Sequence, residues 1–453
     1  MIRKTVSIIM TFILCFGTIL SACDIYGIQA ATTTAGTGDG KDSFTKTTGK
    51  IMKLGKKSRT DNETMTKGYN SFALRALKES IKTDGNKSGN LMISPASLMF
   101  ALDMAAMGAK GTTYRQIAKL FTPSGKKAAY PSKRDLTSFA KQYRKTLEMS
   151  GLMDIANSVW INKNNLDNNN VRVNEAYLNL LRKYYKAAAA SLKFDGAARQ
   201  QINGWIEDKT KGMIKDAVDK LSDDSLMLII NAMAFEGVWK EPYEDYQINE
   251  EGIFTNSDGK EEKARLLSSG ENWYLNGDGA QGFLKYYEGD RYAFMAILPD
   301  DKNISVNEYI SGLSDDALEK FYESRAYEEV DTVTPAFSFD YNIEMNDCLK
   351  NMGMKKAFDQ DADFFAMLDP DTVNPDILLY IGSVIQKTHI ELDEKGTKAA
   401  AVTIIDFRCT ATAVQEPKPR KSVILDRPFA FAIMDTETGT PVFAGVVNTV
   451  AKE

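Results

Sequence analysis

Residues 391–410 read Glu391-Leu392-Asp393-Glu394-Lys395-Gly396-Thr397-Lys398-Ala399-Ala400-Ala401-Val402-Thr403-Ile404-Ile405-Asp406-Phe407-Arg408-Cys409-Thr410. After Gly396 the odd positions Thr397, Ala399, Ala401, Thr403, Ile405, Phe407 and Cys409 are all uncharged, whereas Lys398, Asp406 and Arg408 fall on even ones. Side chains alternate faces along a strand, so one face of this run can be buried in a sheet and the other left wet. Ala399, Ala400 and Ala401 offer little apolar area and make the first half a weak packer. Side chains that small also slide easily between neighbouring strands. The following stretch, Ala411 to Lys421, holds Pro417 and Pro419 without a clean period and reads as an exposed, irregular connection. On pattern alone, an ordinary hairpin strand with a long loop fits this segment equally well.

Working outward, helical periods dominate the first part of the chain from about Lys67. Phe72, Leu74, Leu77 and Ile81 share one side, and Ser94-Pro95 opens a helix running through Met107, with proline at the first helical position. Further helices are expected near 112–120, 132–149, 174–186, 197–208 and 342–353. Strand-like runs occupy 158–161, 226–235, 293–298, 337–339, 378–392, 422–433 and 442–447. Helices early and strands late point to an α+β fold rather than a doubly wound sheet.

The amino terminus reads as an export signal. Arg3 and Lys4 precede an uncharged apolar stretch from Val6 to Leu20 that is short for a membrane span. It ends in Leu20-Ser21-Ala22-Cys23, which resembles a bacterial lipoprotein box, in which Cys23 carries the lipid; ordinary cleavage near Ala30-Ala31 is the alternative. Residues 1–22 are then a lipoprotein signal peptide, and 23–66, rich in Thr, Gly, Ser and Lys, a flexible tether. Acyl chains on Cys23 supply the two-chain anchoring that stable membrane residence needs. The expected location is the outer face of the cell membrane or the extracellular space. Residues 67–453 form a single domain.

Composition removes several function classes. The 453 residues are 43% hydrophobic and 26% charged, with a net charge of −5, which argues against a nucleic-acid binder. The chain has a single histidine, His389, inside an alternating strand-like run. A histidine-pair zinc site is therefore excluded, and no Gly-x-Ser-x-Gly elbow, Walker loop or Gly-x-Gly-x-x-Gly turn is present. No cofactor, metal or enzymatic activity is expected. Besides Cys15 in the signal and Cys23, the cysteines are Cys348 and Cys409, too few to imply a disulfide framework.

The run Glu394-Lys395-Gly396-Thr397-Lys398-Ala399-Ala400-Ala401-Val402-Thr403 resembles the reactive-loop hinge of inhibitory serpins. Other segments match the family in order. Asn90-Leu91-Met92-Ile93-Ser94-Pro95-Ala96-Ser97 resembles its second helix start, Ile202-Asn203-Gly204-Trp205-Ile206 its sixth helix, and Asn231-Ala232-Met233-Ala234-Phe235-Glu236-Gly237-Val238-Trp239 its third central strand. Leu298-Pro299-Asp300, Met352-Gly353-Met354 with Ala357-Phe358, and Asp426-Arg427-Pro428-Phe429-Ala430-Phe431 follow. The resemblance covers roughly residues 67 to 450.

It implies a fold of about nine helices around three β-sheets with an exposed reactive loop, and a suicide-substrate inhibitor that acts as a monomer. The partner is a serine protease, with cysteine proteases also admitted, held as a covalent complex while the cleaved loop enters the main sheet. The alternative is a non-inhibitory serpin fold whose loop is merely cleaved. By the same resemblance Ser94, Ser97, Asn231 and Gln386 lie where the sheet opens and Trp239 where the loop first enters. Read without it, Ser94 is a helix cap, Ser97 a packed helix residue, Asn231 a satisfied core amide and Trp239 core. Gln386 stands where the family commonly has histidine, and Lys398 replaces a usual acidic residue. The scissile bond, about fourteen residues beyond the hinge glycine, is Thr410-Ala411, which favours elastase-like or subtilisin-like targets. Arg408-Cys409 is the competing bond and would favour trypsin-like ones. Oxidation of Cys409 is expected to blunt inhibition.

Overall fold

The computed structural model describes residues 44–85, 88–123, 129–222, 225–372, 377–397 and 420–451. Residues 1–56 and 57–453 group into separate units, and the fold below is that of the second. Cys23 and the loop positions Lys398, Ala399, Ala400, Ala401, Val402, Thr403, Arg408, Cys409, Thr410 and Ala411 lie outside the described residues.

Ten α-helices are present among the described residues, where about nine are expected. The first, α1 (Phe44–Thr83), begins inside the stretch that composition assigns to a tether, and Met65 is already buried. Met65, Tyr69, Phe72 and Ala76 recur on one helical face and bury it. After the short strand β1 (Leu91–Ile93), Ser94 caps α2 (Pro95–Gly108) by accepting from the Ser97 N–H, with Pro95 at the first turn. Thirteen of the fourteen residues of α2 are buried, as expected of a helix apolar all round. Ser132 and Asp135 form a capping box that starts a helix at Lys133–Met149, and Asp195 caps α3, as we label the helix Gly196–Lys209.

A nine-stranded sheet runs through the core. It contains β1, β6 (Ile248–Thr255), β7 (Glu261–Gly277), β8 (Ala280–Tyr286), β9 (Tyr292–Pro299), β10 (Ala326–Pro335), β14 (Lys421–Ile424), β15 (Phe429–Asp435) and β16 (Thr440–Val447). Every residue of β9, β15 and β16 is buried. The expected strand 422–433 is interrupted at Pro428, which has no N–H for a ladder.

The remaining strands form the main sheet in two parts. One part orders β3 (Ala188–Leu192), β2 (Met153–Asn162) and β4 (Met227–Phe235). The other orders β11 (Phe337–Glu344), β12 (Ile385–Leu392), β13 (Gly396–Thr397) and β5 (Gly237–Val238). Only Glu236 separates β4 from β5, so the two parts are one sheet split along its middle. Two expectations shift here. The helix expected at 342–353 is shortened to Asn346–Asn351 because residues 342–344 complete β11, and only Ile385–Leu392 of the run 378–392 is strand.

Candidate functional site

The split closes at one end through a hairpin that the sequence encodes in Asp393-Glu394-Lys395-Gly396. Aspartate first and glycine fourth suit a tight turn. The Asp393 carboxylate accepts the N–H groups of Lys395 (2.8 Å) and Gly396 (3.1 Å), and the Asp393 N–H donates to the Gly396 carbonyl (2.9 Å). The turn lays β13 antiparallel to both neighbours, with Thr397 opposite Leu392 of β12 and opposite Gly237 of β5. Glycine is required at 396 by close approach: a Cβ there would lie 2.1 Å from the Gly237 carbonyl oxygen.

Aromatic residues hold this end. The Trp239 indole N–H donates to the Asp393 carbonyl and its backbone N–H to the Lys395 carbonyl, each at 2.9 Å. The Trp239 ring stacks on Tyr287 at 4.4 Å, and the Tyr287 hydroxyl meets the buried Thr397 hydroxyl at 2.6 Å. Burial pushes the Tyr287 phenol well up, so it stays neutral and available for that bond. Glu394 pairs with Arg265. Burial alone raises the Glu394 carboxyl, but hydrogen bonds and the Arg265 charge outweigh it and hold the group below its usual value of 4.5.

Away from the hairpin, β12 and β4 carry no strand between them among the described residues. The inward side chains of β12 are Gln386, Thr388, Ile390 and Leu392, all buried. Met227 to Asn231 of β4 are only half-buried, which is unusual for an apolar strand in mid-sheet. The start of α2 touches both sides of the split. Gln386 donates through Nε2 to the Ser94 carbonyl (2.8 Å) and accepts the Ser94 N–H (3.1 Å). The Ser97 hydroxyl donates to the Asn231 carbonyl (3.4 Å), the Asn231 amide to Asn157 Oδ1 (2.7 Å), and the Asn157 amide to the Tyr185 carbonyl (2.8 Å). Ser94, Ser97, Asn231 and Gln386 therefore converge beneath the split, and Trp239 stands at its closed end.

The outer face is covered. Trp205 of α3 meets Trp160 edge-on at 5.7 Å, and the segment 210–222 that follows crosses the split as a strap. On one side Lys211 pairs with Asp154 (2.8 Å); on the other Lys387 of β12 reaches Asp219 (3.2 Å) and the Asp216 carbonyl. Met213 and Ile214 from the strap face Met233, Phe235, Ile390 and Thr397 across a narrow cleft. His389 points outward from β12 and pairs with Asp340 of β11 at 2.8 Å. Among the described residues the arrangement is a sheet in two parts joined at one end by β13, with polar side chains that bind each flank to one helix.

The family model described as serpin (serine protease inhibitor) matches residues 67–450. The chain belongs to the serpin family. It is 30% identical over 380 residues to an uncharacterised serpin-like protein of Thermococcus kodakarensis, covering 83% of each chain. Among solved structures it is similar to a thermophilic serpin, Tengpin, in the native state: 36% identity, TM-score 0.74, 85% of this chain and 94% of that one. The same thermophilic serpin in the latent state gives 32% identity and a TM-score of 0.70 over 85% and 98% of the two chains.

Several residues of this serpin's site are not legible in the sequence. Tyr287, Arg265, Asn157 and Lys387 reach it from segments far apart in the chain, and no local spacing marks them. Asp393 was within reach, since Asp-x-x-Gly after an alternating strand is a turn signature.

Proposed function

We propose that this serpin is an irreversible suicide-substrate inhibitor of serine proteases, elastase-like or subtilisin-like, that works by loop cleavage and strand insertion. The observation that supports the reading is β13, paired on both sides at one end of the sheet, while beyond it no strand stands between β12 and β4 among the described residues. A strand that continues β13 completes both ladders.

The protease serine attacks the Thr410 carbonyl, the Thr410–Ala411 bond breaks, the new amine of Ala411 leaves with its proton, and an acyl-enzyme forms on Thr410. Freed at that end, the loop zips downward from Thr397, carrying the acylated protease to the far end of the sheet before water completes hydrolysis. About ten new backbone hydrogen bonds at about 1 kcal/mol net each drive it. Burial of Ile405 and Phe407 adds about 1.5 to 3 kcal/mol apiece. A drive on the order of 10 kcal/mol makes insertion irreversible in practice. Uncharged, mostly small side chains at Ala399, Ala401 and Thr403 suit passage past Met233, Phe235 and Ile390. That Tengpin adopts both a native and a latent state is consistent with a fold of this family having two stable arrangements.

Mixing the mature domain with pancreatic elastase or subtilisin is expected to yield a complex that survives denaturing gels. Clean cleavage with no complex would reduce the chain to a non-inhibitory serpin fold. We also infer that Cys23 carries the lipid that holds the inhibitor at the outer face of the cell membrane. Incorporation of labelled fatty acid that is lost in Cys23→Ala tests this.

A further inference from the structure

Among the described residues one lysine is buried: Lys285 of β8, which is 3% exposed and follows the buried Phe283 and Leu284. An ammonium rarely goes fully inside unless it is paired, because it gives up its hydration there. A methionine of similar length would fill the same volume without that cost. Lys285 therefore stands out as a charge placed where apolar packing would serve.

Two kinds of partner surround it. Its Nζ meets Glu271 Oε1 of β7 at 2.8 Å, and the same oxygen accepts the Ser269 hydroxyl at 2.6 Å. The ammonium also lies over the Tyr243 ring, 4.2 Å from its centroid, and 5.6 Å from that of Trp239. A cation within about 6 Å of an aromatic face is drawn to it, more strongly where water is excluded, and both rings are buried. Burial pushes the Lys285 pKa down, but Tyr243, Glu271 and Glu241 outweigh it and hold the group above its usual value of 10.5, so it stays charged.

These two aromatic residues are the ones that grip the turn before β13. The Trp239 indole N–H donates to the Asp393 carbonyl, the Tyr243 N–H to the Glu394 carbonyl and the Trp239 N–H to the Lys395 carbonyl, each at 2.9 Å. Three consecutive carbonyls are thus held by two residues whose rings share one buried cation. We propose that Lys285 is a positioning residue for the hinge: anchored by Glu271, its ammonium fixes the Tyr243 and Trp239 rings and through them holds Asp393 to Lys395, and β13 after them, in place against β5. The consequence for trapping rests on the insertion reading above, since a strand that grows from β13 needs β13 fixed when the loop is cut.

The test combines Lys285→Met with Glu271→Gln in the full mature chain, which removes both charges at once and leaves neither buried alone. Amide hydrogen exchange is read at 239–243 and 393–397, with β15 as control, and the trapped fraction is read with pancreatic elastase. Exchange at the turn is expected to rise about tenfold while β15 stays as in the wild type, and the ratio of trapping to cleavage to fall by about as much at an unchanged rate of cleavage. In a Tyr243→Leu background the same two substitutions should add little, since the ring that carries most of the effect is gone. Unchanged exchange at the turn would overturn the positioning role, and so would a rise of equal size in β15, which marks a general loss of stability. A wild type that elastase cleaves without forming a complex would overturn the insertion reading instead, and the exchange comparison then still decides the role of Lys285.

Discussion

Replacing Gly396 by alanine puts a Cβ 2.1 Å from the Gly237 carbonyl oxygen and 2.9 Å from Val238 Cα, both backbone atoms with nowhere to turn. Ordinary contact at about 3.5 Å or more requires β13 to move away from β5 by over about 1 Å, beyond hydrogen-bonding range. The two-residue pairing of β13 with β5 is then lost, and two backbone bonds at about 1 kcal/mol each make about 2 kcal/mol. That corresponds to a factor of about 30. If insertion starts from this pairing, the zipping step slows by up to that factor while acylation is untouched, because the scissile bond is far along the loop. In a gel assay against elastase, Gly396→Ala should therefore be cleaved at the normal rate and leave mostly cleaved inhibitor instead of complex. Gly204→Ala, in α3 with open space around its Cβ, is the control and should trap as the wild type does. An unchanged trapped fraction in Gly396→Ala would refute the idea that β13 nucleates insertion.

Thr397→Arg places a guanidinium where the Thr397 side chain is buried against Tyr287; leaving that charge unpaired costs several kcal/mol, so the variant should behave as a substrate, which a denaturing gel reads directly. The Glu394 carboxyl is held below its usual value by Arg265, so its stabilisation is present at neutral pH and is lost as the pH falls below about 4.5 through the lowered value. Glu394→Gln should accordingly lower the melting temperature at pH 7, and the difference from wild type should close under acid conditions. Lys387→Ala removes the strap's tie to β12; amide hydrogen exchange across 212–222 is expected to rise about tenfold, the effect of about 1.4 kcal/mol.

Much of the site was legible because its parts are local. The turn that starts β13 is written in Asp393-Glu394-Lys395-Gly396 and the start of α2 in Ser94-Pro95, whereas the run of small residues at 399–401 lies outside the described residues. What was hidden depends on long-range pairing. The seventeen-residue strand β7 has an irregular burial pattern and carries Glu, Lys, Asn and Ser along its length, so neither period two nor apolar content announces it. Its Arg265 nonetheless supplies the Glu394 counter-ion. The burial of Met65 at the tether's end was not legible either, because it sits among Thr and Lys and its burial comes from the core it packs against rather than from local propensity. The division of the main sheet is not legible in the residues themselves, since a strand edge has the same sequence whatever stands beside it; only the family resemblance implied that the sheet opens near Ser94, Ser97, Asn231 and Gln386.

The central claim, that cleavage fills the slot between β4 and β12, is tested most directly by amide hydrogen exchange on the intact and loop-cleaved domain. A large gain in protection is expected, confined to Met227–Phe235 and Ile385–Leu392, the two strands between which, beyond β13, no strand stands among the described residues. Exchange at those strands that is the same before and after cleavage would contradict it.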